Sequence, residues 1–161
     1  MNNTLNPEEL ATWQRRLASQ ANNRAWDLAE ALSRTADEDE EMLQAAHAAM
    51  YFWRFVGGPR NHAHAAQLLA HVYALLGLGN PARYYQAKSQ PLFFAEDAAP
   101  WEQAQAHAIA ANVAAALGDA RAHAEHYAEA QRLMEALPDP QDRKTLAATL
   151  RVVPAPKAGP A

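Results

Sequence analysis

The sequence predicts an all-α fold, and three observations carry that prediction. Half of the 161 residues are hydrophobic, many of them alanine, while aromatics make only 8%. Alanine has the best intrinsic helix propensity, and its small side chain lets helices approach closely. No Val/Ile/Thr-rich alternation of period two occurs, so strands are not expected. Helix-start signatures recur as Asn6-Pro7, Asn80-Pro81 and Asp139-Pro140, a capping side chain followed by proline. About eight helices follow, folded as antiparallel hairpins in a single domain over residues 1–151.

The first helix is expected over 7–19, where Asn6 caps, Pro7 suits the first position and Glu9 completes a capping box. Leu10, Trp13 and Leu17 share one face of it. The Asn22-Asn23 pair is read as a break, and a second helix carries Trp26, Leu28 and Leu32. Five acids, Asp37 to Glu41, open the next helix, where carboxylates interact well with the helix dipole. Its apolar residues, Met42 to Phe55, cover much of its circumference, which predicts a central, largely buried helix ended by Gly57-Gly58-Pro59.

Residues 61–76 form the next helix, with two apolar stripes and a narrow polar strip of His64, Gln67 and His71. Gly77 and Gly79 turn the chain, Asn80-Pro81 starts a helix, and Pro91 is expected to end or kink it. Pro100-Trp101 begins a helix with an alanine seam at Ala104, Ala108, Ala111 and Ala115. Gly118-Asp119 turns into another, with Tyr127, Ala130, Met134 and Leu137 inward. Asp139-Pro140 caps a last short helix, and the Pro/Ala-rich tail 152–161 is expected to be disordered.

Gly77 and Gly118 stand 41 residues apart, and each closes the first helix of a hairpin. Tyr73 precedes the first glycine and Ala82 follows it, while Tyr127 and Ala130 follow the second. This pattern of turn glycine, aromatic and alanine resembles the tetratricopeptide repeat. Ala114, His123, Gln86 and Ser89 depart from the pattern, and the spacing exceeds the family's usual ~34 residues. The resemblance implies a short right-handed solenoid of hairpins at about 22–57, 60–90 and 100–137, with capping helices 7–19 and 139–150. It also resembles small bacterial helical-repeat proteins, which implies the fold without an activity.

Charge and motif content narrow the function classes. A net charge of −4 with both signs scattered gives no footprint for nucleic acid or an anionic membrane. The absence of cysteine removes disulfides, thiolate metal ligands and a cysteine nucleophile. MNNTLNPEEL lacks the basic and apolar regions of a secretory signal, so a cytoplasmic location is expected. No apolar run reaches the roughly 20 residues that span a bilayer. HExxH, paired Glu-x-x-His helices, GxSxG and a phosphate loop are all missing, so neither a metal, nor a cofactor, nor enzymatic activity is expected.

The remaining candidates are two polar strips. The resemblance implies that first helices line the concave surface, which sets His64, Gln67 and His71 beside Glu102, Gln105 and Asn112 as a partner-binding groove. Gln44, His47, Tyr51 and Arg54 share a face of the preceding hairpin; this polar strip reads as a ligand groove, as a solvated face or, the reading favoured for His47, Tyr51 and Arg54, as an internal network between hairpins. The function expected is a non-enzymatic module that binds a protein or peptide, with a homodimer through exposed Trp13 or Phe93-Phe94 as one form. The alternative is a small-molecule or metal-dependent binding protein or enzyme that uses His64, His71 and Glu102.

Overall fold

Seven helices and no strand make up the described residues, 6–157, of the computed structural model. Helix α1 spans Pro7–Ala29, α2 Ala36–Val56, α3 Pro59–Leu75, α4 Gly79–Phe93, α5 Pro100–Leu117, α6 Ala120–Ala136 and α7 Pro140–Val152. The three most extensive helix pairs are α1 with α2, α3 with α4, and α5 with α6. Each pair is joined by a short loop, so the chain folds as three consecutive hairpins followed by α7.

The eighth helix expected from the sequence does not form, because α1 continues through Asn22 and Asn23. Its packing stripe explains why. Ala18, Ala25, Leu28 and Ala29 are buried at helical spacing on both sides of the asparagines, so one continuous face meets α2. The first hairpin therefore spans 7–56. Capping boxes at Asn6/Glu9 and Thr35/Glu38 start its two helices. Arg15 donates to the Val56 carbonyl at 3.0 Å, and Arg24 pairs with Glu41, which fixes an antiparallel register.

The second and third hairpins turn by the same device. Gly77 and Gly118 have φ of 73° and 74°, a conformation that glycine adopts without a Cβ penalty. The following amides, of Leu78 and Asp119, each donate at 2.9 Å to a carbonyl five residues back, at Tyr73 and Ala114. Helix α4 starts at Gly79 rather than after Asn80, and it runs through Pro91 to Phe93. Pro91 lies in the last turn, where the buried Phe93 anchors the helix end against Ala63 and Ala106.

The core centres on α3 and α5, not on α2. Ten residues of α3 and eleven of α5 are buried, against three of α2. Helix α3 touches α1, α2, α4 and α5, while α5 touches α3, α4, α6 and α7. Helices surrounded on all sides need an apolar circumference, and the alanines of α5 supply it at close approach. Just beyond α7 the chain packs back on the fold. Val153 is buried, and His123 Nε2 donates to the Pro154 carbonyl at 2.7 Å. Residues 158–161 of the expected disordered tail lie outside the described residues. Arg151 donates to the Glu30 carbonyl at 3.0 Å, tying the end of α7 to the end of α1.

Candidate functional site

The two polar strips exchange places in the structure. The strip on α3 does meet α5, but the meeting is internal. Gln67, His71, Glu102, Gln105 and Asn112 are all buried, so they cannot form an open groove. The reason lies in the position of α3, which is enclosed by four neighbours, so that its polar face meets α5 instead of water. His64 alone of the six is partly exposed.

Each buried polar group is held by specific partners. Glu102 is 1% exposed and accepts from Arg60 at 2.5 Å and from His64 Nε2 at 2.8 Å. A buried carboxylate needs such charge-assisted bonds. The His64 ring stacks on Trp101, with centroids 5.6 Å apart, and touches Phe93. Burial lowers the His64 pKa, against the pull of Glu102. Asn112 donates to His71 Nδ1 at 3.1 Å, which places the imidazole proton on Nε2. Burial, with Arg34 nearby, pushes the His71 pKa down to about 3, and the ring lies 5.7 Å from Trp26. The Nε2 atoms of His71 and Gln67 have no acceptor among the described residues. Asn112 also borders a cavity of about 460 Å³ beside His123 and the tail, and Gln105 borders a small one against α7.

Among the described residues the only side chain hydrogen-bonded to the Glu102–His64 dyad is Arg60. The chain lacks cysteine, and Ser89 is bonded to the Gln86 carbonyl. Among the described residues no three His, Asp or Glu side chains converge as a metal site requires. On α6, His123 is buried and His126 half-buried. His126 and His107 meet at 2.9 Å through their Nδ1 atoms, so one donates and the other accepts.

The open concavity lies on the other strip. A cleft of about 740 Å³ separates the first two hairpins. From α2 come His47, Met50, Tyr51 and Arg54; from α3, Pro59, His62, Ala63 and Ala66; from α4, Lys88, Pro91 and Leu92. Gln44, which shares the helix face of His47, Tyr51 and Arg54, instead donates to Glu40 on its own helix. His47 alone makes the expected internal contact, at 2.8 Å to the Tyr73 hydroxyl, and burial lowers its pKa. His62 reaches back to the Trp53 carbonyl. Tyr51 is 58% exposed at the cleft mouth and packs edge-on against Phe55 at 5.1 Å.

The cleft's electrostatics are one-sided. No Asp or Glu lines it, although the chain carries net negative charge. Among the described residues neither Arg54 nor Lys88 has a carboxylate partner; Lys88 sits over the Tyr84 ring at 4.7 Å. Compared with models of protein families, with curated proteins and with solved structures, the chain shows no match. Lys88, Pro91, Leu92 and His62 were not legible as site residues in the sequence. They join Arg54 only through the packing of α4 on α3 and of α3 on α2. No helix among the described residues is long and apolar enough to cross a membrane.

Proposed function

We propose that the chain is a non-enzymatic interaction module. In this reading it is a short right-handed helical solenoid that binds a polypeptide segment bearing apolar and acidic side chains in the cleft between α2, α3 and α4. Support for the solenoid comes from three consecutive hairpins that contact one another in order, and from the identical glycine stops of α3 and α5. The observation that carries the function is the cleft itself. Its walls are apolar, its mouth presents Tyr51 and Arg54, and among the described residues Arg54 and Lys88 have no anionic partner. Tyrosine and arginine are the side chains that most often dominate binding energy at interfaces. A carboxylate entering between Arg54 and Lys88 gains charge-assisted bonds that the protein itself does not supply.

Panning a random peptide library on the purified chain tests this. Enriched peptides should combine Asp or Glu with large apolar residues, and Arg54→Ala with Lys88→Ala should weaken them at least tenfold. Enrichment of basic peptides, or binding indifferent to both substitutions, rejects the site. A second reading draws on the cleft's volume, which lies in the ~300–1,000 Å³ range of small-ligand sites. Under it, medium-chain fatty acids raise the melting temperature in an Arg54-dependent way while no peptide is enriched.

A further inference from the structure

The outer face of α1 carries an apolar stripe that no other part of the described chain covers. Leu10, Trp13 and Leu17 recur at three- and four-residue spacing and are 45, 50 and 40% exposed. The same helix buries Ala18, Ala25, Leu28 and Ala29 against its neighbours, so its two halves differ. The stripe begins one turn into the helix and stays apolar for two turns. A half-exposed tryptophan flanked by two half-exposed leucines is a contact surface in waiting, because isolated exposed apolar residues are common but contiguous ones are not.

The charges beside the stripe decide what covers it. Glu9 and Arg16 are seven residues apart, which places them two turns apart on one edge of the stripe, straddling Trp13. Among the described residues Arg16 has no carboxylate partner, and its guanidinium lies over the Trp13 ring at 5.6 Å. Acid at the start and base at the end make a pattern that is self-complementary in one direction only. When two identical helices pack antiparallel about a two-fold axis, each edge faces the same edge of the other copy. Centred beside Trp13, that pairing sets Glu9 against Arg16 of the second copy, twice, and Leu10 against Leu17 of the second copy. A parallel two-fold pairing would put this edge of the two copies on opposite sides of the contact, so Glu9 and Arg16 would not face each other.

We infer that α1 is the contact surface of a symmetric dimer in which two copies of this chain pack their Leu10–Trp13–Leu17 stripes antiparallel. The two tryptophans meet near the two-fold axis, and the reciprocal Glu9–Arg16 pairs set direction and register. This surface is separate from the cleft, whose lining includes no residue of α1.

Sedimentation velocity of the full chain, over a wide concentration range at low salt, reads the association directly. The native chain should show a monomer–dimer equilibrium that weakens with salt. Trp13→Glu should be monomeric, with an unchanged helical circular dichroism spectrum. Arg16→Glu and Glu9→Arg should each dimerise at least tenfold more weakly alone. Mixed together they should form a heterodimer, because every facing pair is then opposite in charge. Glu9 also closes the capping box of α1, so a Glu9→Arg chain that misfolds leaves Arg16→Glu and Trp13→Glu as sufficient tests. A native chain that stays monomeric at every concentration overturns the inference. So does a native dimer that persists undiminished in Trp13→Glu.

Discussion

A neutral imidazole sealed between α3 and α5 ties stability to pH. In an unfolded chain His71 titrates near ~6.5, whereas in the fold its pKa is about 3. Below the unfolded value, the unfolded chain takes up a proton that the folded chain excludes. Stability is therefore complete near neutrality and falls as pH drops from about 6.5 towards 3, by about 1.4 kcal/mol per pH unit for this group. His47, His64, His107 and His126 are shifted in the same direction by burial and steepen the native curve. His71→Gln removes one titrating group and keeps a polar side chain. Urea unfolding should show the variant losing about 2 kcal/mol less than the native chain between neutral and mildly acidic pH. Parallel curves would mean that His71 is not sealed. The sequence placed His64, Gln67 and His71 on one helix face by their spacing. Whether that face met water or α5 depended on contacts some forty positions along the chain, which spacing does not carry.

At the level of helices and turns, the glycines separate strain from crowding. A Cβ on Gly79 would sit 2.8 Å from Leu117 Cδ2 and 2.9 Å from the Ala116 carbonyl. Backbone cannot yield cheaply, so Gly79→Ala should push α4 away from the end of α5, at a cost of about 2 kcal/mol. Gly118→Ala meets nothing, but it forces φ of 74° on an L-residue, which costs about 1 kcal/mol. Gly58 has open space and an ordinary φ, so Gly58→Ala should stay within about 0.5 kcal/mol. Urea midpoints by circular dichroism should follow that order; equal costs at Gly79 and Gly58 would refute the close approach. Helix starts at Pro7, Pro100 and Pro140 and the stops at Gly77 and Gly118 were legible because each is local chemistry. The merger of the first two expected helices was not, since Asn22-Asn23 is a break by propensity and a through-helix by packing. Pro91, expected to end or kink its helix, stands two residues before the end of α4. Proline forbids the donor bond at its own position, but a helix held by a buried Phe93 can close its last turn around it.

Across the whole molecule, the hairpins stack in chain order while the last helix reaches back to the first. Helix α7 packs on α5 and α6, and Arg151 crosses 121 positions to the carbonyl of Glu30. That bond satisfies a carbonyl left over just past the end of α1 and places a cation near the helix's negative pole, both favourable. It is also the thinnest connection in the fold, because α7 packs mainly on α5 and α6, and less extensively than any other helix packs on its neighbours. Arrays of this kind open locally from their ends, and the units with few buried apolar contacts open first. Amide exchange should accordingly be slowest in α3 and α5, whose surroundings are protein on every side, and faster in α7. Arg151→Ala deletes the link without disturbing the core. The variant should exchange the amides of α7 and of the α1 end several-fold faster, while α3 and α5 exchange as before. Faster exchange throughout would make the link part of the global fold instead. Unchanged exchange in α7 would mean that its packing on α5 suffices, with Arg151 contributing nothing to the closure.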